Sequence, residues 1–381
     1  MSFFSFGKPK SKLGIDIGTA SVKIVELSKE SGRFKLQNYG LFELESVDET
    51  LNASGSSTSR AAQLSNQDLA WSIKEVLKRG KIKAGDVVAS IPSFSTFSTI
   101  ITMPYLSEKD MAKTIPFEAR KYVPLPIEDV VLDWSIINIA ANANPQPPTL
   151  NSQQTAESRK PITESRDGSK PPTVEVFLVA VKKQETERYK NIMKLAGLNL
   201  RALELENSAL IRSLLGNDLN PVAIVNIGGR STSILIVDNG YERISHNYEV
   251  GGFEITKSIS RALNINIKRA EELKRSLGIR EVENNVIQEA MSSLLDMMAF
   301  ETKKTIHSYE ELKNTKINRI VLVGGLANMP NFINYFGAKL GLPVTLGASL
   351  ARLIVPEGLN KIHPELNTTF ALAIGLAMRE I

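Results

Sequence analysis

Leu13-Gly14-Ile15-Asp16-Ile17-Gly18-Thr19-Ala20-Ser21-Val22-Lys23-Ile24-Val25-Glu26-Leu27 opens as an apolar strand, breaks at Gly18-Thr19 and resumes as a second strand that runs to a turn at Gly32. Strand-like runs on either side of a glycine turn predict a β-hairpin. The same unit returns 210 positions later, where Ala223-Ile224-Val225-Asn226-Ile227-Gly228 leads through Gly229 to Ser231-Thr232-Ser233-Ile234-Leu235-Ile236-Val237 and a turn at Asn239-Gly240. One supersecondary unit used twice is an internal repeat, so two related halves are expected.

The turn residues suit a polyphosphate. Glycine at the tip of a strand-turn-strand lets backbone N–H groups reach charged oxygens with no β-carbon in the way, and Gly18, Gly228 and Gly229 meet that need. Thr19, Ser21, Ser231 and Thr232 add hydroxyl donors, and Lys23 adds a positive charge. Asp16, just before the first turn, is placed to hold Mg²⁺ through its waters. Either turn alone is an ordinary hairpin; the two in equivalent places point to phosphate. Gly324-Gly325, after the buried-looking strand 319–323, would let a base or ribose lie against backbone, and equally makes a plain strand-to-helix turn. Gly251-Gly252 is a simple turn or a close approach to the same ligand. Glu271 and Lys274 stand one helical turn apart, either facing one ligand or forming a solvated pair.

The rest of the chain narrows the class. Its 381 residues, 42% apolar, provide for two or three domains. The formal charge of +5, from 46 basic and 41 acidic residues, is spread without a basic block, so nucleic-acid binding is not expected. With no cysteine there is no disulfide, thiolate metal site or cysteine nucleophile, and the scattered His246, His307 and His363 do not form a zinc set. No apolar run reaches membrane-spanning length, and the start lacks a signal-peptide core, so a soluble cytoplasmic protein is expected. Phe3, Phe4 and Phe6 followed by Lys8, Lys10 and Lys12 suit a frayed terminus, with a membrane-surface contact as the other reading.

Polar stretches at 52–66, rich in Ser, Ala and Thr, and at 141–173, rich in Pro, Asn, Ser and charge, read as loops, the second as a disordered hairpin tip between strands at 130–139 and 174–181. Ser107 caps a helix over 108–122 with Met111, Ile115, Ala119 and Tyr122 at core spacing, Pro116 kinking it and Pro124 stopping it. Later helices are expected at 184–196, 206–215, 254–262, 268–277, 286–312 and 368–379. The longest carries Val286, Ala290, Leu294, Met297, Phe300 and Ile306 near one face. Strands alternating with helices in both halves make this an α/β protein.

These pieces, in this order, resemble the actin-like ATPase superfamily. The phrasing of 13–23, of Phe117-Glu118-Ala119-Arg120-Lys121-Tyr122-Val123-Pro124, of Val250-Gly251-Gly252-Phe253-Glu254-Ile255-Thr256 and of Ala373-Ile374-Gly375-Leu376-Ala377-Met378-Arg379 is similar to the PilM family of type IV pilus assembly proteins. The resemblance implies an actin-like, ribonuclease H-like two-lobed fold with an inserted FtsA-type 1C subdomain. Its subdomains would be 1A at 11–85, 182–219 and 366–381, 1C at 86–181, 2A at 220–262 and 318–365, and 2B at 263–317. ATP and Mg²⁺ are the implied cofactors, with Glu271 and Lys274 at the ribose or base and Gly324, Gly325, Leu326 and Met329 bordering the adenosine. The implied partner is the N-terminal peptide of PilN, an inner-membrane protein, in a groove between 1A and 1C near Phe117, Arg120 and Tyr122, which would bring a cytoplasmic protein to the inner membrane beside other platform proteins.

Asn226 departs from the usual Asp of the second hairpin and removes a negative charge, so ATP binding is expected with weak or absent hydrolysis. Glu206 matches an acidic position that orients water, although a surface carboxylate at a helix start accounts for it as well. An FtsA-like filament-forming scaffold is the alternative, against which the chain ends at its last helix. A small-molecule kinase of the superfamily ranks below it, and self-association stays open.

Overall fold

The computed structural model describes residues 11–44, 64–140, 172–279 and 286–380. The Phe-rich start and most of the two polar loops lie outside the described residues. The chain forms two compact units, one made of Met1–Phe94 and Glu187–Ile381, the other of Ser95–Thr186.

The larger unit begins with β1 (Lys12–Ile17), β2 (Ser21–Glu30), β3 (Arg33–Glu43), α1 (Asn66–Arg79) and β4 (Asp86–Ile91). The inserted unit contributes β5 (Thr96–Pro104), α2 (Glu108–Ala119), β6 (Val130–Ala140) and β7 (Thr173–Lys182). Then α3 (Lys183–Ala196), β8 (Asn199–Leu205) and α4 (Glu206–Leu214) complete the first half. The second half runs β9 (Val222–Ile227), β10 (Thr232–Asp238), β11 (Tyr241–Tyr248), α5 (Gly252–Leu263), α6 (Ile267–Leu277) and α7 (Val286–Lys313). It closes with β12 (Ile320–Val323), α8 (Phe332–Leu340), β13 (Val344–Leu346), β14 (Leu353–Ile354), α9 (His363–Thr369) and α10 (Ala371–Ala377).

The repeat extends well beyond the hairpins. The first sheet has the order β14-β3-β2-β1-β4-β8 and the second β11-β10-β9-β12-β13. Each is an antiparallel three-strand meander whose first strand pairs in parallel with a later one, β1 with β4 and β9 with β12. Both hairpins share one register: Asp16 faces Lys23 and Ile17 faces Val22, as Asn226 faces Ser233 and Ile227 faces Thr232.

Central strands covered on both faces need apolar side chains on both, and β1 and β9 are accordingly buried along almost their whole length. Leu13, Ile15, Val22 and Ile24 pack with Leu69, Ile73, Ile192 and Met193 of α1 and α3. On the other side α4 and α10 meet strands of both sheets, through Leu210, Leu372 and Leu376 against Val88, Ile224, Leu235 and Val323. The outer face of the second sheet is covered by α5, α7 and α8. Backbone contact sets the central layer: a β-carbon at Gly375 would lie 1.9 Å from the Ala209 carbonyl oxygen, so α10 and α4 cross with nothing between them.

In the inserted unit β7 lies between β5 and β6, antiparallel to both. Met111, Ile115 and Ala119 of α2 pack on Val174, Val176, Leu178 and Ala180 of β7. The Ser107 hydroxyl caps α2 by accepting the Asp110 N–H at 3.2 Å. The helix carries Pro116 and ends at Ala119, short of the expected 122: the Lys121 and Tyr122 N–H groups reach back only three residues, to Glu118 and Ala119. Tyr122 therefore leaves the apolar stripe and is 44% exposed.

Four further expectations change. β4 pairs with β1 in the first sheet, so the inserted unit starts at Ser95 and not at 86. β14, expected with the second half, pairs with β3 of the first sheet. The last helix breaks at Phe370 into α9 and α10. On α7 the core is reached by Met291, Leu295, Met298, Thr302, Ile306 and Tyr309, while Val286 is exposed and Phe300 is 63% exposed. Apolar residues occupy adjacent positions around this helix, so packing partners and not periodicity choose the buried line.

Gly375→Ala tests the backbone contact. In an ordinary helix the change adds about 0.5–1 kcal/mol of stability. Here it should cost about 3 kcal/mol or more through overpacking against a carbonyl that cannot swing away, read as a lower denaturation midpoint.

Candidate functional site

The two hairpin turns are built alike. Gly18 N–H donates to the Ser21 carbonyl at 3.0 Å, and Gly228 N–H to the Ser231 carbonyl at 2.9 Å. Their tips meet: Arg230 N–H donates to Thr19 Oγ1 at 3.3 Å, and a β-carbon at Gly229 would lie 2.4 Å from that of Ala20. The structure thus brings Gly18, Thr19, Ser21, Gly228, Gly229 and Ser231 together at one place.

Around the first tip, Asp16 is only 5% exposed. Its carboxylate pairs with Lys23 Nζ at 3.1 Å and accepts from Ser90 Oγ at 3.4 Å. The second hairpin carries a neutral counterpart, Asn226 opposite Ser233, and the Ser233 hydroxyl is buried without a hydrogen-bond partner among the described residues. Thr232 differs from the expectation: wholly buried, it donates its proton to the Val250 carbonyl at 2.7 Å and holds the chain beneath the turn.

Gly251 and Gly252 dock α5 onto the second hairpin. Gly252 N–H donates to the Gly228 carbonyl at 3.0 Å and Phe253 N–H to that of Gly229 at 2.7 Å. A β-carbon at Gly251 would come within 2.7 Å of both hairpin carbonyls, which is the close approach that requires glycine. Lys274 is turned inward, while Glu271 stands beside it. Its ammonium donates to the Gly252 carbonyl and Thr256 Oγ1, each at 2.9 Å, and pairs with Glu271 at 2.6 Å. Burial lowers the Lys274 pKa, with the Glu271 charge opposing it. Burial works to raise the Glu271 pKa, but the Lys274 charge and the bonds from Lys274, Thr256 and Arg275 hold it below the ordinary value. Glu271 remains partly open to solvent.

Gly324 has φ +90° and donates its N–H to the Thr368 carbonyl at 3.1 Å; a β-carbon there would strike the Ile227 oxygen at 2.1 Å. The turn is therefore pressed onto β9 beside Asn226. Gly325 is the open member of the pair, since a β-carbon there would meet no atom within 4 Å. Leu326 and Met329 belong to the core and back this turn.

Glu206 is a half-buried carboxylate. From the first position of α4 it accepts the Ser93 N–H at 3.2 Å and the Ser93 hydroxyl at 3.4 Å. Burial, and then the Asp16 charge, push its pKa up to about 7. Sequence reasoning missed Ser90, Ser93 and the buried Asn207, which donates to Glu242 and Ser245 of β11 at 3.0 Å each. The available signal was serines at the carboxyl end of a parallel strand, where α/β sheets gather their sites.

An acid whose pKa rises on folding contributes stability below its unfolded pKa and loses it as pH climbs through the folded value. In nucleotide-free protein, Glu206→Gln should therefore gain thermal stability relative to the parent as pH rises from about 5 to about 8. A melting-temperature difference that stays flat over that window would contradict the assignment.

A profile of the type IV pilus assembly protein PilM family matches residues 14–169 and 163–381. The cell division protein FtsA of Bacillus subtilis (strain 168) is 29% identical over 135 residues, a match spanning 30% of this chain and 30% of that protein. FtsA of Enterococcus faecalis (strain ATCC 700802 / V583) is 21% identical over 351 residues, covering 84% of this chain and 75% of that one. Among solved structures, a chain of a PilM-PilN type IV pilus biogenesis complex superposes with a TM-score of 0.74 at 21% identity, over 97% of this chain and 98% of that one. With an actin-like ATPase fold and a family match over nearly its whole length, this chain belongs to the PilM family of type IV pilus assembly proteins.

Proposed function

We propose that the chain is an ATP-binding adaptor of a type IV pilus inner-membrane platform that takes the N-terminal peptide of a PilN-type membrane protein. The observation that carries the nucleotide reading is the meeting of two identically built glycine turns, with Arg230 N–H on Thr19 Oγ1. The touching turns bring the Thr19 hydroxyl of one hairpin beside the other, and Lys23 adds an ammonium that Asp16 already orients. Asp16 is the residue that would hold Mg²⁺ through water, and Gly325 leaves room for a nucleoside beside the second sheet. A bound Mg²⁺ would supply charge neutralisation of the phosphates.

Glu206, near neutrality in its pKa and held by Ser93, is the group suited to orient a water. Asn226 offers no carboxylate partner to Asp16 for ordering Mg²⁺ and water, so the proposed site favours retention of ATP over turnover. For the partner, support comes from the inserted unit: Phe117 is 64% exposed, the Arg120 guanidinium lies 5.4 Å from its ring, and Tyr122 is exposed nearby in sequence. An aromatic pair with a cation is a common anchor for a peptide. The adaptor would reach the inner membrane through that peptide.

Titration with ATP in the presence and absence of Mg²⁺ tests the nucleotide site. Lys23→Ala should weaken binding about tenfold or more, and Asp16→Asn should remove the gain that Mg²⁺ gives the parent. Unchanged ATP affinity in both variants would sink the assignment. Separately, Phe117→Ala should lower affinity for a synthetic PilN N-terminal peptide about tenfold while ATP binding persists.

A further inference from the structure

We infer that Ser90 and Ser93 are positioning residues that couple the nucleotide site to the root of the inserted unit, Ser93 acting as the switchable contact. The inference rests on the reading of this site as an ATP site. β4 leaves the first sheet at Ile91, and the inserted unit opens at Ser95. Over that short stretch the chain is bonded to both site acids: Ser90 donates to Asp16 at 3.4 Å, and Ser93 gives its N–H and hydroxyl to Glu206 at 3.2 and 3.4 Å.

The Ser93 hydroxyl also lies 3.1 Å from Asn207 Oδ1. A hydroxyl has one proton, and these two neighbours are both acceptors, so it serves one at a time. Asn207 presents its oxygen to Ser93 because its amide N–H groups are donated to Glu242 and Ser245 of β11, in the second half of the larger unit. Between these two acceptors the hydroxyl proton has two settings: on Glu206, within the site, or on Asn207, toward the second half.

Hydrogen bonds to an ionised acceptor are stronger than neutral ones, so the preferred setting depends on what else the Glu206 carboxylate holds. A nucleotide or an ordered water that engages Glu206 draws off the lone pairs that Ser93 uses, and the proton turns to Asn207. The backbone most affected is the stretch from Pro92 to Thr96, from which β5 and the rest of the inserted unit follow. That unit carries Phe117, Arg120 and Tyr122. A discrete two-setting contact whose balance is biased from the site is the physical element that coupling between distant sites needs.

Hydrogen–deuterium exchange across residues 92–97 of the full chain tests this, with and without Mg²⁺ and a non-hydrolysable ATP analogue at concentrations saturating each variant. In the parent, exchange in that stretch should change about fivefold or more on loading. Ser93→Ala should abolish the load-dependent change, and Ser93→Thr, which keeps the hydroxyl and serves as the folded control, should retain it. A purely structural role would alter thermal stability and leave the load-dependent difference intact, which would overturn the inference. An unresponsive stretch in a parent that binds the analogue would overturn it as well. A parent that binds no analogue at any concentration would instead remove the ATP reading beneath it.

Discussion

The contact between the two hairpin tips is the constraint around which the larger unit is arranged. Ala20 and Gly229 come so close that a single added carbon would collide, and the Arg230 amide reaches across to the Thr19 hydroxyl. Tips this close require the strands behind them to converge, and both sheets do so from opposite sides of a shared helical layer formed by α4 and α10. That layer is thin because Gly375 lets the two helices touch at the backbone. Burial of branched side chains on both faces of each sheet supplies the driving force, and the glycines determine how near the halves come.

The two halves share a register but not a charge pattern. At the equivalent cross-strand position the first hairpin holds an Asp16–Lys23 ion pair and the second a neutral Asn226–Ser233 pair. A buried ion pair orients its members and keeps a cation beside the turn, whereas in the second hairpin Asn226 lies beside the Gly324 turn and the buried Ser233 hydroxyl has no partner among the described residues. Duplication of a fold is thus combined with division of labour. The first hairpin carries the ion pair, and the second supplies a scaffold on which α5 and the Lys274–Glu271–Thr256 network are anchored.

Several glycine and hydroxyl positions that read as ligand contacts also serve as joints. A β-carbon at Gly251 or Gly324 would strike neighbouring backbone, the Gly252 N–H and the Thr232 hydroxyl bond to backbone carbonyls, and Lys274 faces inward. Their types are required for two reasons that a sequence does not separate, because close approach of backbone to backbone and close approach of backbone to ligand call for the same missing β-carbon. Glu206 moved the other way. A helix start is an ordinary place for a carboxylate, and only burial in the folded chain, with the Asp16 charge beside it, reveals a perturbed acid.

The sequence by itself determined the repeat, the strand-turn-strand units with their glycine tips, the capped helix start at Ser107 and the substitution of Asn226 for an acid. All of these are properties of neighbouring residues, and a turn needs its glycine wherever it is placed. Only the tertiary structure decided that β4 and β14 join the first sheet, that α7 buries Met291 and Met298 while leaving Phe300 outside, and that Ser90 and Ser93 grip the two acids. Those outcomes depend on partners far away in the chain. A buried stripe, a sheet neighbour and a shifted pKa belong to the surroundings of a residue, and the surroundings exist only once the chain has folded.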